Sequence, residues 1–516
     1  TDTFWVLDTS VEPPAKFQVS ARLALRTDHA YWWVQEGYAV PDADLRAAAR
    51  RFEERTYPTN RHVFGAEWSP GIDGDPRLHI LMGNIPGVSG YFSAANEYAT
   101  QAVPHSNRHE MFFINLHALR PGQRQFDSVL AHEFQHMIHW HHDPNEDAWV
   151  NEGLSELAQT LNGFDTGNVV HLYLNQPDLQ LTAWGRTPEI RRANYGASFL
   201  FFRYLYDRFG LEVIQSLVAQ PENGIAGIEQ SLQQNGISLP FDSIFADFLL
   251  ANYLNDPRLD DGRWAYADPK LTLPPVRHAA RHTTLPVEAA GTVKPYGADY
   301  IELAVSGPLS ITFRGAMTTT LLPTGAHSGR FFWYGNRGDN SDSTLTRPVD
   351  LTGVPTATLR FWAWYDLEPD WDYAYIALSA DDGATWEALP ATTTTDTNPV
   401  GNAYGPGFTG QSKGWVEETV DLTPYAGQRI LLRFEVVTDD AINYPGFAVD
   451  DIRLAPAGFA DDAETDEGGW TATGFFRTDN RLPQRFIVQA IFFPREGLPV
   501  VRPMSLAEDN SGRLEW

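Results

Sequence analysis

Hydrophobic and polar positions change their period twice along this chain, and the changes divide it into three stretches. In the first, RLALRTDHAYWWVQEG (22–37) has the aromatic and apolar character of strands, and RLHILMG (77–83) and MFFINLH (111–117) are short apolar runs between turn residues. DADLRAAARRFEERTY (42–57) predicts a helix opened by Pro41 and Asp42. Residues 1–122 therefore read as mixed α/β. From about 124 to 256 the spacing is helical: SVLAHEFQHMIHWHH, WVNEGLSELAQTLNG, ASFLFFRYLYDRFG (ending at Gly210), GIEQSLQQNG and FDSIFADFLLANYLND each predict a helix. Beyond Asp256, the proline-rich DPKLTLPPVRHAARHTTLPVE (268–288) reads as a linker or crossing segment. Alternating runs such as TLRFWAWYD and RILLRFEVV then predict a β-sandwich.

Length supports this division, because 516 residues exceed what one hydrophobic core holds. The net charge of -28, with no basic run, argues against nucleic acid or an anionic membrane as partner. The chain has no cysteine, which removes disulfides, thiolate metal sites and cysteine nucleophiles together. FADFLLANYL (245–254), among the longest apolar runs, falls well short of a membrane span. The first residues, TDTFWVLDTS, lack the charged, apolar and small-residue regions of a leader, as expected of a processed secreted protein or a cytoplasmic one.

Candidate chemistry gathers in LAHEFQHMIHWHHDPNEDAWVNEGLSE (130–156), which holds five histidines. His132-Glu133-Phe134-Gln135-His136 is HExxH on a predicted helix. Positions i and i+4 share a face, so both imidazoles reach one metal ion, and Glu133, about 100° round the helix, reaches a water beside it without ligating. A catalytic zinc needs a third protein ligand and an open position, and two residues compete for that place. His142 stands where HExxHxxGxxH puts its third histidine, but His139 occupies the glycine position and nothing before Asp143-Pro144 stops the helix. On a continuing helix His142 lies roughly 120° off the face of His136. His139 shares that face but cannot close a tetrahedron from two turns along. The other candidate is Glu152, sixteen residues after His136: DPNED reverses the chain, and a second helix returns antiparallel with a carboxylate toward the metal.

NEGLSE resembles the NExxSD pattern of gluzincins, the thermolysin-like enzymes, and the stretch HEFQHMIH…WVNEGLSELA most resembles the hyicolysin-type bacterial neutral metallopeptidases. The resemblance implies a zincin-like catalytic domain in which Glu152 is the third zinc ligand and Glu133 the general base. Glu156 would hydrogen-bond a zinc histidine, although aspartate is usual there. It also implies an oxyanion donor from a later helix, for which Tyr195, beside Gly196 at the start of such a helix, is the candidate and His171 a weaker one. GYFSAANEY (90–98) is the candidate edge strand to which an extended substrate would add.

WYGNRGDNSDSTLTRPVDLT (333–352), FWAWYDLEPDWDYAYIALSADDGATWEAL (361–389), GWVEETVDLTPYAGQRILLRFEVVTD (414–439) and GFAVDDIRL (446–454) together resemble the MAM-like jelly-roll module of immune inhibitor A-type secreted metallopeptidases. Such modules often hold a structural Ca²⁺, and Asp339, Asp342, Asp450 and Asp451 stand in matching places; Arg337-Gly338-Asp339 reads as a turn. The expected fold class is multidomain α+β. A zincin-like domain over 1–270 (halves 1–122 and 123–270) precedes all-β modules: a jelly roll over 326–455, and a small β region at 280–325 completed by 456–516. The expected function is a zinc endopeptidase acting on protein or peptide substrates, secreted by a bacterium as a mature form without signal peptide. Its β modules are candidates for binding a glycan or surface protein. Two alternatives stand beside it, a gluzincin-type zinc aminopeptidase and a non-catalytic adhesin with an inert zincin domain. The absence of a GAMEN-like segment opposes the first, and the intact HExxH with Glu152 opposes the second.

Overall fold

The computed structural model describes residues 1–11, 14–439, 442–465 and 467–516. The chain divides into two compact units, one comprising 1–10, 17–315 and 486–516, the other 11–16 and 316–485. Among the described residues all the α-helices lie in the first unit, and strands make most of the regular structure of the second.

Six strands form the main sheet of the first unit: β1 (Asp2–Asp8), β2 (Ala15–Arg26), β3 (Ala30–Gln35), β4 (Leu78–Gly83), β5 (Gly90–Phe92) and β6 (Met111–Asn115), in the order β1-β2-β3-β4-β6-β5. β3, β4 and β6 run parallel. LHILMG and MFFIN are buried at every position, which is why they read as unbroken apolar runs rather than alternating ones. β5 closes the edge antiparallel to β6. Gly90 permits its approach to the helical layer: a Cβ there would stand 2.8 Å from Val129 Cγ1 and 2.9 Å from Phe113 O.

The helices are α1 (Asp42–Arg51), α2 (Tyr57–Phe64), α3 (Arg124–His142), α4 (Ala148–Leu161), α5 (Val169–Leu174), α6 (Pro188–Phe209), α7 (Leu211–Val218), α8 (Gly224–Gln234) and α9 (Phe241–Leu254). A π-helical turn at Phe52–Thr56 joins α1 to α2, so the helix predicted over 42–57 continues to Phe64. α6 also starts earlier than the apolar run at 197–210 implies. Pro188 takes its first position and the Thr187 hydroxyl accepts from Ile190 N, which places Tyr195 well inside the helix rather than at its start. Two glycines let α6 pack closely: a Cβ on Gly153 of α4 would meet the Phe202 ring at 2.3 Å, and one on Gly196 would meet Val169 O at 2.1 Å. The segment 268–288 is no free linker. Leu271, Leu273 and Val276 pack on the first unit's core, Arg277 N donates to Leu174 O, and Ala280–His282 pairs in parallel with Ile301–Leu303.

In the second unit one sheet holds Val416–Asp421, Thr358–Asp366, Gly446–Leu454, Phe332–Tyr334 and Phe476–Thr478 in that order, with Phe459–Asp461 added to Gly446–Leu454. The other holds Glu387–Ala388, Tyr373–Ser379, Arg429–Val437, Asp342–Asp350 and Thr471–Thr473. Their alternating strands bury one face each in a shared apolar core, where Phe361 of the first sheet meets Phe434 of the second at 5.0 Å between ring centroids. The strands at 459–478 belong to this sandwich, beyond the 326–455 stretch read from the sequence. After it the chain returns to the first unit, where Ser511–Glu515 pairs with Ser310–Arg314.

Two outcomes follow from this packing. Gly196→Ala forces a methyl against backbone that cannot rotate away, so the thermal midpoint should drop by the equivalent of about 1–3 kcal/mol, while Gly291→Ala, which meets nothing within 4 Å, should leave it unchanged. The turn after β5 supplies a pH dependence. Burial, and then Glu110, push the Glu97 carboxyl up to about 9, and burial pushes Glu110 up to about 7. Folded-state values raised above the unfolded ones mean the folded state holds these protons more tightly. Their contribution is therefore complete below the ordinary carboxyl range and is lost as pH rises through about 7 and 9. Melts between pH 5 and 9 should show the midpoint falling, with a shallower fall in Glu97→Gln.

Candidate metal centre

α3 carries HExxH, and the DPNED reversal turns the chain so that α4 runs back along it. The cross-helix partners fall in antiparallel order: Ser128 with Gln159, His132 with Glu156, His136 with Asn151 and Glu152. His132 Nε2 and His136 Nε2 stand 3.0 Å apart, and Glu152 Oε2 lies 3.3 and 3.4 Å from them. Of the two residues competing for the third place, the helices bring Glu152 to the histidine pair. His142 is exposed at the end of α3, beside Gly65.

The far side of each imidazole decides what these atoms can do. His136 Nδ1 is 2.7 Å from Asn151 Oδ1, so it carries a proton and leaves Nε2 with a free electron pair. His132 Nδ1 faces Glu156 Oε1 at 3.3 Å, with Gln159 Nε2 at 3.2 Å, which leaves its Nε2 as the atom turned toward His136 and Glu152. The Gln159 amide donates to Glu156 Oε1 at 2.6 Å and the Ser128 hydroxyl to Gln159 Oε1 at 2.5 Å, which holds Glu156 in place. Two nitrogen pairs and one carboxylate oxygen therefore converge on one point. A proton satisfies one of them, whereas a divalent cation satisfies all three, so the donor set fits a metal of the zinc class.

Burial alone would raise the Glu152 carboxyl, but His136 and His132 outweigh it and hold Glu152 well below the usual carboxylate range. Glu133 behaves oppositely. Buried on the same helix, it is raised by desolvation more than the two histidines lower it, and the backbone N–H of Phe92, at the end of β5, faces its carboxylate. Tyr195 reaches the centre from α6, where its hydroxyl donates to Glu152 Oε1 at 3.2 Å and its ring lies 6.2 Å from that of His132. Trp184 packs edge-on against it at 5.0 Å. His171 is exposed on α5.

Asn151, Ser155 and Gln159 were not among the predicted site residues. They form a polar stripe at i, i+4 and i+8 on a helix that is otherwise largely buried, and that stripe is the signal in the sequence that marks them. His139, which cannot complete the first site, is fully buried.

The four aspartates read as calcium donors are not brought together. Asp339 accepts from Asn443 N and Nδ2, ahead of the strand that begins at Gly446. Asp450 and Asp451 lie several residues further along that strand, where Asp450 accepts from His327 N and Ser328 N, and Asp451 binds His327 Nδ1 and Arg453. Asp342 opens a strand of the other sheet. Protein donors thus occupy oxygens of Asp339, Asp450 and Asp451. Arg337 also binds Asn443, which fastens the Arg-Gly-Asp tripeptide in an irregular stretch rather than a regular turn.

Comparison with known proteins matches the β half to a domain family and the chain to named metalloproteases. Residues 308–480 match the family described as immune inhibitor A-like, MAM domain. The chain is 35% identical over 159 residues to the pre-pro-metalloprotease PrtV of Vibrio cholerae, covering 30% of this chain and 17% of that protein. It is 28% identical over 141 residues to immune inhibitor A of Bacillus thuringiensis, covering 26% and 19%. It is 21% identical over 256 residues to the neutral metalloprotease ShpI of Staphylococcus hyicus, covering 42% and 55%. The chain thus spans less than two thirds of each of these relatives. Its resemblance to bacterial metalloproteases is nonetheless plain, and it carries at 308–480 a domain like the MAM domain of immune inhibitor A.

Proposed function

We propose that this chain is a secreted bacterial zinc endopeptidase whose first unit is a zincin-like catalytic domain of gluzincin type. The observation that carries the reading is the convergence of His132 Nε2, His136 Nε2 and Glu152 Oε2 within 3.4 Å of one another, with Glu133 beside them on the same helix. The metalloprotease relatives support it. His132, His136 and Glu152 hold the zinc, and Glu156 orients His132. When bound, zinc supplies Lewis-acid polarisation of the scissile carbonyl and acidification of the attacking water.

The chain's own residues do the rest. Glu133, raised by its buried setting toward the working pH, takes the proton from the attacking water on a carboxylate oxygen and delivers it to the leaving amine nitrogen. The Tyr195 hydroxyl, which donates to Glu152, turns its donor to the oxygen that gains charge on the scissile carbonyl. β5, at the sheet edge against α3, aligns an extended substrate by backbone pairing, with Phe92 N–H beside Glu133. Substrates are proteins or peptides, and the β-sandwich is an accessory module that binds a protein or glycan surface.

Casein or a peptide library supplies the test. Glu133→Ala should lose on the order of 100-fold or more in cleavage rate with zinc content unchanged, and chelation should abolish cleavage. Full activity in Glu133→Ala, or an active protein free of zinc, would remove the proposal. Tyr195→Phe should lower kcat on the order of 100-fold with little change in KM. An unchanged kcat would leave Tyr195 as a packing residue.

A further inference from the structure

One turn beyond His136, the helix that carries the zinc histidines presents a second convergence. His139 on α3 and Asp143 and Glu146 in the reversal each bring one ligating atom to within 4.8 Å of the others. All three are buried, at 0%, 2% and 2% exposure. Neither ring nitrogen of His139, neither carboxylate oxygen of Asp143, and not Oε2 of Glu146 meets a hydrogen-bond partner. Asn145 N and the Asn151 side chain lie near Asp143 and His139 without reaching bonding geometry. The other oxygen of Glu146 is fixed, accepting from Asp147 N at 2.6 Å and Gly224 N at 2.8 Å, which aims Oε2 into the cluster.

Buried polar atoms almost always have partners, and five idle ones on three neighbouring side chains call for a common partner. Protonation of the carboxyls, which burial favours for both, removes charge and supplies one O–H donor each, but a single O–H cannot bond atoms of all three residues at once. A cation bonds one atom from each residue at once. We propose that His139, Asp143 and Glu146 bind a second divalent cation, which clamps the turn between α3 and α4. One imidazole nitrogen with two carboxylate oxygens suits zinc or manganese, and the two oxygens alone suit calcium. The site is separate from the first. Asn151 stands between them, facing His136 Nδ1 on one side and His139 on the other.

The test uses the whole chain, stripped with chelator and then offered zinc, manganese or calcium separately, with bound metal measured by elemental analysis after dialysis. The wild type should take up two equivalents of zinc or manganese. Asp143→Asn with Glu146→Gln should take up one, and Glu152→Ala should also take up one, from the opposite site. In the wild type, metal should raise the thermal midpoint further than in the Asp143/Glu146 variant. Should that variant not fold, anomalous diffraction from wild-type crystals at the metal edge decides, with a peak among His139, Asp143 and Glu146 expected. Selective uptake of calcium at that site would identify the cation as calcium and uphold the clamp. No peak there with any of the three metals, or two equivalents retained by the Asp143/Glu146 variant, would overturn the proposal.

Discussion

Three electron pairs meet between α3 and α4, and the surrounding structure keeps them from separating. Two imidazole nitrogens and a carboxylate oxygen at 3.0–3.4 Å stay aimed at one point because each side chain is held from behind. Asn151 holds His136, and the chain Ser128–Gln159–Glu156 holds His132. These supports lie on the same two helices as the donors. Their antiparallel packing, with Gly153 drawing α4 against α6, is thus the constraint on which the centre rests. α6 in turn delivers Tyr195.

The same packing gives two carboxylates opposite electrostatic characters. Glu152 faces both imidazoles and stays ionised far below the usual range, as suits a ligand. Glu133, one residue from His132 but turned toward Phe92 and the sheet edge, is raised by burial, as suits a group that accepts and returns a proton. Environment rather than residue type separates the roles proposed for them.

Much of this was legible in the sequence because helical spacing is rigid. HExxH fixes two imidazoles on one face, and a reversal followed by NEGLSE fixes where a carboxylate can return. What depended on tertiary packing was not legible. The start of α6 is set by Thr187 and Pro188, which precede its apolar run, so Tyr195 looked like a helix-start residue. The aspartates of the β half matched a family pattern, yet their oxygens go to His327, Ser328 and Asn443, contacts over a hundred residues apart in sequence. His139 looked surplus because the first metal does not need it, and only the fold shows it enclosed with Asp143 and Glu146.

The account stands on Glu152 rather than His142 completing the histidine pair, and bound zinc in the two single variants tests that most directly. Glu152→Ala should lose one equivalent of zinc together with peptide cleavage, while His142→Ala, altered at an exposed helix end, should retain both. Zinc lost from His142→Ala and kept by Glu152→Ala would contradict the account.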